Sequence, residues 1–110
     1  MHRMDRINRL LRTEIAKIIQ EQLTGQVGFV SITDVTTSKD LATSKVYYSE
    51  IGDDKQKEKT FRKLKQAAGF IKGELGRVVQ FKRVPSLRFI YDPSLERGAH
   101  VVNELNKLNQ

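Results

Sequence analysis

The chain of 110 residues contains no cysteine and no tryptophan. Without thiols there is no disulfide and no thiolate chemistry, which accords with a cytoplasmic protein. No apolar run approaches the ~20 residues that cross a bilayer. The N-terminal "MHRMDRINRLLR" is charged throughout, where a signal peptide needs an apolar centre. There is no repeat, no low-complexity tract and no linker, so a single domain over residues 1–110, with no C-terminal extension, is expected.

Catalytic equipment is also scarce. No Walker-type phosphate loop occurs. His2 and His100 lie far apart in sequence, and neither has a second ligand at a metal-binding spacing. Asp53 and Asp54 stand beside each other without a wider carboxylate cluster, which fits a helix cap better than a metal site. The expectation is a protein that is not an enzyme and carries no metal or cofactor.

Positive charge is abundant. Twenty Lys and Arg face thirteen Asp and Glu, a net charge of +7. Such a surplus on a small surface attracts polyanions, of which nucleic acid is the commonest. Apolar residues at 38% are enough for a small core.

Residues 3–23 read as a helix, because Ile7, Leu10, Leu11, Ile15, Ile18, Ile19 and Leu23 recur at three- and four-residue steps. Gly25 in "TGQVG" is placed to end it. Phe29–Thr36 and Ala42–Glu50 read as a hairpin around the turn "TSKDL", with Val30, Ile32, Ala42, Ser44, Val46 and Tyr48 inward. A second helix runs from an Asp53 or Asp54 cap to Val78 or Val79, its buried line being Phe61, Leu64, Ala68, Ile71, Leu75 and Val78. "RVPSLRFIYD" is a third strand with Leu87, Phe89 and Tyr91 on one face, and Pro85 puts it at an edge or bulge. "DPSLERGAHVVNELNKL" is a last helix. The order α-β-β-α-β-α implies an α+β domain, a three-stranded sheet with helices on one face.

The second helix is unusual in its glycines: "KLKQAAGFIKGELG" holds three. Each costs about 1 kcal/mol against alanine in a helix interior. "GELG" imitates the G-x-x-G loop by which KH domains clamp a nucleic-acid backbone, but Glu74 at its centre would repel phosphate. Gly73 and Gly76 therefore read as helix-end and turn residues. For Gly69 two readings stand: close approach of a partner's backbone amid Arg62, Lys65 and Lys72, or tight packing within the fold. Arg77, Lys82, Arg83 and Arg88 follow in a span without acid, and Arg3, Arg6, Arg9 and Arg12 form a second cluster. Phe81 lies among these charges, where it reads as buried at a helix–strand corner rather than as a base-stacking ring.

"R-x-x-R-I…TEIAKIIQEQL", "VSITDVTTSKDLATSKVYYS", "AAGFIKGELG" and "RVPSLRFIYDPSLERG", in that order, resemble the bacterial ribosome-binding factor A family. The resemblance runs from about Arg3 to Leu108. It implies a type II KH-like fold in which the G-x-x-G loop is replaced by a helix bent at an A-x-G interruption, here Ala67, Ala68 and Gly69. It further implies a non-catalytic partner of the small (30S) ribosomal subunit, assisting late maturation of 16S ribosomal RNA, including its 5′ end, and growth in the cold. The expected phosphate contacts are Arg3, Arg6, Lys65, Lys72, Arg77, Lys82, Arg83 and Arg88. A free monomer with no membrane partner is expected. The alternatives are a KH-like RNA binder acting off the ribosome and a permanent ribosomal protein.

Overall fold

The computed structural model describes residues 2–94. Helix α1 (Arg3–Gln22) is followed by strands β1 (Phe29–Thr37) and β2 (Thr43–Ile51), helix α2 (Asp54–Val78) and strand β3 (Ser86–Tyr91). The last helix expected from the sequence, with Gly98 and His100, lies outside the described residues. The sheet order is β1-β2-β3, β1 antiparallel and β3 parallel to β2. The long crossover needed to bring β3 parallel to β2 is α2 itself.

Helix α1 buries Ile7, Leu11, Ile15, Ile18 and Ile19, the periodic stripe, while Leu10 at its border stays 39% exposed. It ends where the Thr24 hydroxyl donates to the Gln20 carbonyl and Gly25 adopts φ +84°, a left-handed turn that suits glycine. In β1 the register slips between Ile32 and Asp34, leaving Thr33 as an extra residue. That bulge explains why Ile32 and Val35 both point inward although three positions apart.

Helix α2 is capped as expected, the Asp53 carboxylate accepting from the Gln56 N–H at 2.8 Å. Its buried line is Thr60, Leu64, Ala67, Ile71 and Leu75. This corrects the sequence reading at three positions. Phe61 is 39% and Val78 57% exposed, and Ala68 is only partly buried. Ala67, Ala68 and Gly69, where the bend is expected, lie within the continuous helical hydrogen bonding of α2. The cost of about 1 kcal/mol for one mid-helix glycine is outweighed by burial of Leu64, Ile71 and Leu75, each about 1.5–3 kcal/mol. Gly73 and Gly76 are helical as well, not turn residues.

The core sits between the two helices and one sheet face. Leu11, Ile15, Val46, Leu64, Ile71 and Leu75 are fully buried. Tyr48 fills the centre of the sheet, its ring edge-on to Phe89 and Tyr91 at 6.4 and 5.7 Å. Pro85 is buried just before β3, an edge strand as its proline implied. Phe81 packs against the core, in keeping with the burial reading.

A polar bolt closes one end. The buried Thr60 hydroxyl donates to the buried Glu50 carboxylate at 2.6 Å, and the Gly28 N–H donates to Thr60 Oγ1 at 3.3 Å. A Cβ on Gly28 would collide with the Glu50 carboxylate. Gly28→Ala is therefore expected to cost about 1–3 kcal/mol, the range for overpacking, measured by urea unfolding. Burial, then the nearby Glu50 carboxylate, pushes the Tyr48 hydroxyl up to about 12. The unfolded phenol titrates near 10, so stability is full below pH 10 and declines as pH rises toward 12. Alkaline melting curves of Tyr48→Phe should lack that decline.

Candidate nucleic-acid interface

The basic residues fall into groups set by the elements that carry them. Arg3, in the first turn of α1, shares a shallow recess with His2, Met4, Ile7, Lys39 and Leu41, so the start of α1 meets the β1–β2 turn. The turn is held by Asp40, whose carboxylate accepts from the Ser38 hydroxyl at 2.7 Å and the Ala42 N–H at 3.0 Å. These bonds, the Ser38 one foremost, hold the Asp40 carboxyl below its usual range, and the Arg83 charge contributes. The Ser86 N–H donates to the Ala42 carbonyl at 2.9 Å, which brings the segment carrying Arg83 to the same turn. Leu41 sits at φ +60°, a costly conformation for a branched side chain, which its packing against the core offsets.

Lys72 reaches from α2 to the start of β3, its ammonium donating to Ser86 Oγ at 3.4 Å. Lys65 lies two helical turns earlier on the same side, about 10 Å away along the axis. Arg77 occupies the last turn of α2, where a cation also suits the helix dipole. Arg6 and Lys82 are exposed, on α1 and on the α2–β3 loop. Arg88 is set apart from them. It alternates with the buried Leu87 and Phe89, so it stands on the sheet face turned away from the helices. Lys45 is its neighbour there, in register on β2. Sequence reading missed Lys39 and Lys45; only the turn geometry and the strand register give them a basic neighbourhood. Arg12 is engaged structurally, its Nε–H donating to the Ile32 carbonyl at 3.2 Å.

The two readings of Gly69 are now separable. A Cβ on Gly69 or Gly73 would meet nothing within 4 Å, and one on Gly76 would make ordinary contact with Val84 at 3.8 Å. Packing within the described fold does not require these glycines. At 100° per residue they share one side of α2 with Arg62 and Lys65, and Lys72 and Arg77 flank it. The result is a strip of accessible helix backbone edged by cations. Ala67 turns into the core at 8% exposure, and Ala68 is intermediate. Among the described residues no group of three His, Cys, Asp or Glu side chains could hold a metal ion, and no helix is long and apolar enough to cross a membrane.

Fold and surface define a class: a small basic α+β domain of α-β-β-α-β order whose cations line an open flank. Within that class the chain belongs to the ribosome-binding factor A family, whose family model, "Ribosome-binding factor A", matches residues 3–105. It is 39% identical over 110 residues to ribosome-binding factor A of Desulfitobacterium hafniense (strain DSM 10664 / DCB-2), covering 99% of this chain and 88% of the relative. It is 40% identical over 109 residues to that of Acetivibrio thermocellus, covering 97% and 89%. The fold is similar to the crystal structure of ribosome-binding factor A from Thermus thermophilus, with a TM-score of 0.72 at 24% identity over 80% of this chain and 93% of that one. It is also similar to a Thermus thermophilus homology model fitted into a cryo-EM map of a 30S complex, with a TM-score of 0.67 at 24% identity over 78% and 91%.

Because nothing in the described fold packs on Gly69, Gly69→Ala is expected to raise unfolding free energy by up to about 1 kcal/mol, read from denaturant midpoints.

Proposed function

We propose that the chain is a non-catalytic assembly factor that binds the immature 30S subunit through 16S ribosomal RNA and assists its late maturation, including processing of the 5′ end. The observation that carries this reading is the α2 flank. Lys65 and Lys72 edge a bare glycine strip, and Arg3, Lys82 and Arg83 extend positive charge toward the β1–β2 turn. Family membership supports it, as does the 30S complex known for the Thermus relative. Structured RNA is recognised mainly through its backbone and shape. A rigid platform with cations and an unobstructed backbone strip meets that need without an enclosed active centre. The protein acts as a cytoplasmic monomer, and its contribution matters most in the cold, when misfolded RNA escapes slowly. The seven cations Arg3, Arg6, Lys65, Lys72, Arg77, Lys82 and Arg83, which lie on the helix side or at the turns, are its phosphate contacts.

The test is sedimentation of cell extract on sucrose gradients, with the protein detected across the fractions. Enrichment with free small subunits and depletion from translating ribosomes is expected. Equal presence in translating ribosomes would indicate a permanent ribosomal protein instead, and absence from all ribosomal fractions an RNA binder acting elsewhere. With purified small subunits, Lys65→Gln and Lys72→Gln should each weaken binding and lower the slope of log affinity against log salt by about one unit. Unchanged slopes would remove α2 from the interface.

A further inference from the structure

We propose that the sheet face turned away from the helices is a second RNA site, built from Lys45, Tyr47 and Arg88, that takes a single-stranded segment. Its phosphates lie on Lys45 and Arg88, and one base stacks on the Tyr47 ring.

Strand alternation creates the site. Ser44, Val46 and Tyr48 are buried beneath the helices, so Lys45 and Tyr47 point the other way, as Arg88 does between Leu87 and Phe89. Lys45 and Arg88 are direct register partners on β2 and β3. Like charges placed side by side in a sheet destabilise it. Neither cation has an ion pair with the described residues. Asp34, in register with Tyr47, is the acid nearest along the strands, and its Oδ1 is engaged by the Val35 N–H at 2.9 Å. The fold thus carries an uncompensated pair of exposed cations on a flat face, and a phosphate between them relieves the repulsion.

Tyr47 supplies the second element. Tyr48 packs its ring against Phe89 and Tyr91, whereas Tyr47 is only partly buried and has no ring partner among the described residues. It lies one outward position beyond Lys45 and abreast of Ile90. An aromatic ring beside backbone-binding cations is the arrangement that holds unpaired bases. A duplex keeps its bases stacked inside and would leave the ring unused. The site is also continuous with the α2 flank. Lys72 reaches Ser86, two residues before Arg88 and of the same outward parity on the edge strand. Positive charge therefore passes from α2 around the β3 edge onto this face.

The inference stands apart from ribosome binding, because it is tested on the purified full chain alone. A fluorescein-labelled oligouridine ten-mer is titrated at several salt concentrations and followed by anisotropy. Wild type should bind it more tightly than an RNA duplex of equal length. Tyr47→Ala should weaken binding about tenfold while Tyr47→Phe retains it, since the ring and not the hydroxyl is used. Lys45→Gln with Arg88→Gln should lower the salt slope by about 1.4, the single-strand value for two phosphate contacts. Lys45 and Arg88 are exposed, so this double variant should fold even if Tyr47→Ala does not, and circular dichroism checks both. No oligouridine binding by wild type, equal binding of duplex, or an unchanged salt slope in the double variant would overturn the proposal. Each of those results would leave small-subunit binding through Lys65 and Lys72 to its own test.

Discussion

The rotation of α2 about its own axis is the constraint on which the rest depends. Leu64, Ala67, Ile71 and Leu75 must face the sheet, and together they bury several kcal/mol of apolar surface. Once that line is seated, every other position on the helix is fixed. Gly69, Gly73 and Gly76 turn to solvent, with Lys65, Lys72 and Arg77 about them. One residue of slip would swing this strip by about 100°, hide part of it, and expose leucine instead. The core therefore does more than hold the domain together. It aims the cations, and it supplies the stability that lets three exposed glycines remain in one helix.

The same logic governs the sheet. β2 is the central strand, and its alternation sends Val46 and Tyr48 into the core while Lys45 and Tyr47 go outward. The neighbouring strands adjust to it. β1 absorbs its extra residue at Thr33, whose hydroxyl donates to the Asp92 carboxylate at 2.7 Å, tying the bulge to the residue after β3. Arg12 engages the Ile32 carbonyl at this same point. A bulge with its own side-chain anchors interrupts the regular outer edge of β1, one of the ways sheets discourage unwanted strand pairing.

Much of this was legible in the sequence because its causes are local or periodic. The α1 stripe, the Asp53 cap, the "TSKDL" turn and the alternation of β2 each have a signature within a few residues. The element order from α1 to β3 follows from them. What escaped was set at a distance. Phe61 and Val78 fit the spacing of the buried line, yet among the described residues they remain exposed, because which positions are covered is set by the packing of distant elements. Val35 faces inward only because of the bulge. At Ala67, Ala68 and Gly69 the burial of Leu64 and Ile71 on either side keeps the helical hydrogen bonding continuous despite the glycine. For the candidate site, the identity of most cations was readable, but not their grouping. Arg83 and Arg88 are five residues apart in sequence. One attends the β1–β2 turn and the other stands on the far face of the sheet.

The distribution of charge ties these points together. A fold selected for stability alone would set its cations against its acids. Here Asp40 and Asp53 spend their carboxylates on backbone amides at the β1–β2 turn and the α2 cap, and Asp34 bonds the N–H of Val35. The acids serve local geometry, and Lys45, Lys65 and Arg88 are left without carboxylate partners among the described residues. Such a surface repels itself when the protein is alone and gains when a polyanion arrives. At moderate salt the self-repulsion is partly screened, and so is the attraction. Salt-sensitive, reversible attraction of this kind is what the proposed role of a factor that visits a maturing subunit and then leaves would require.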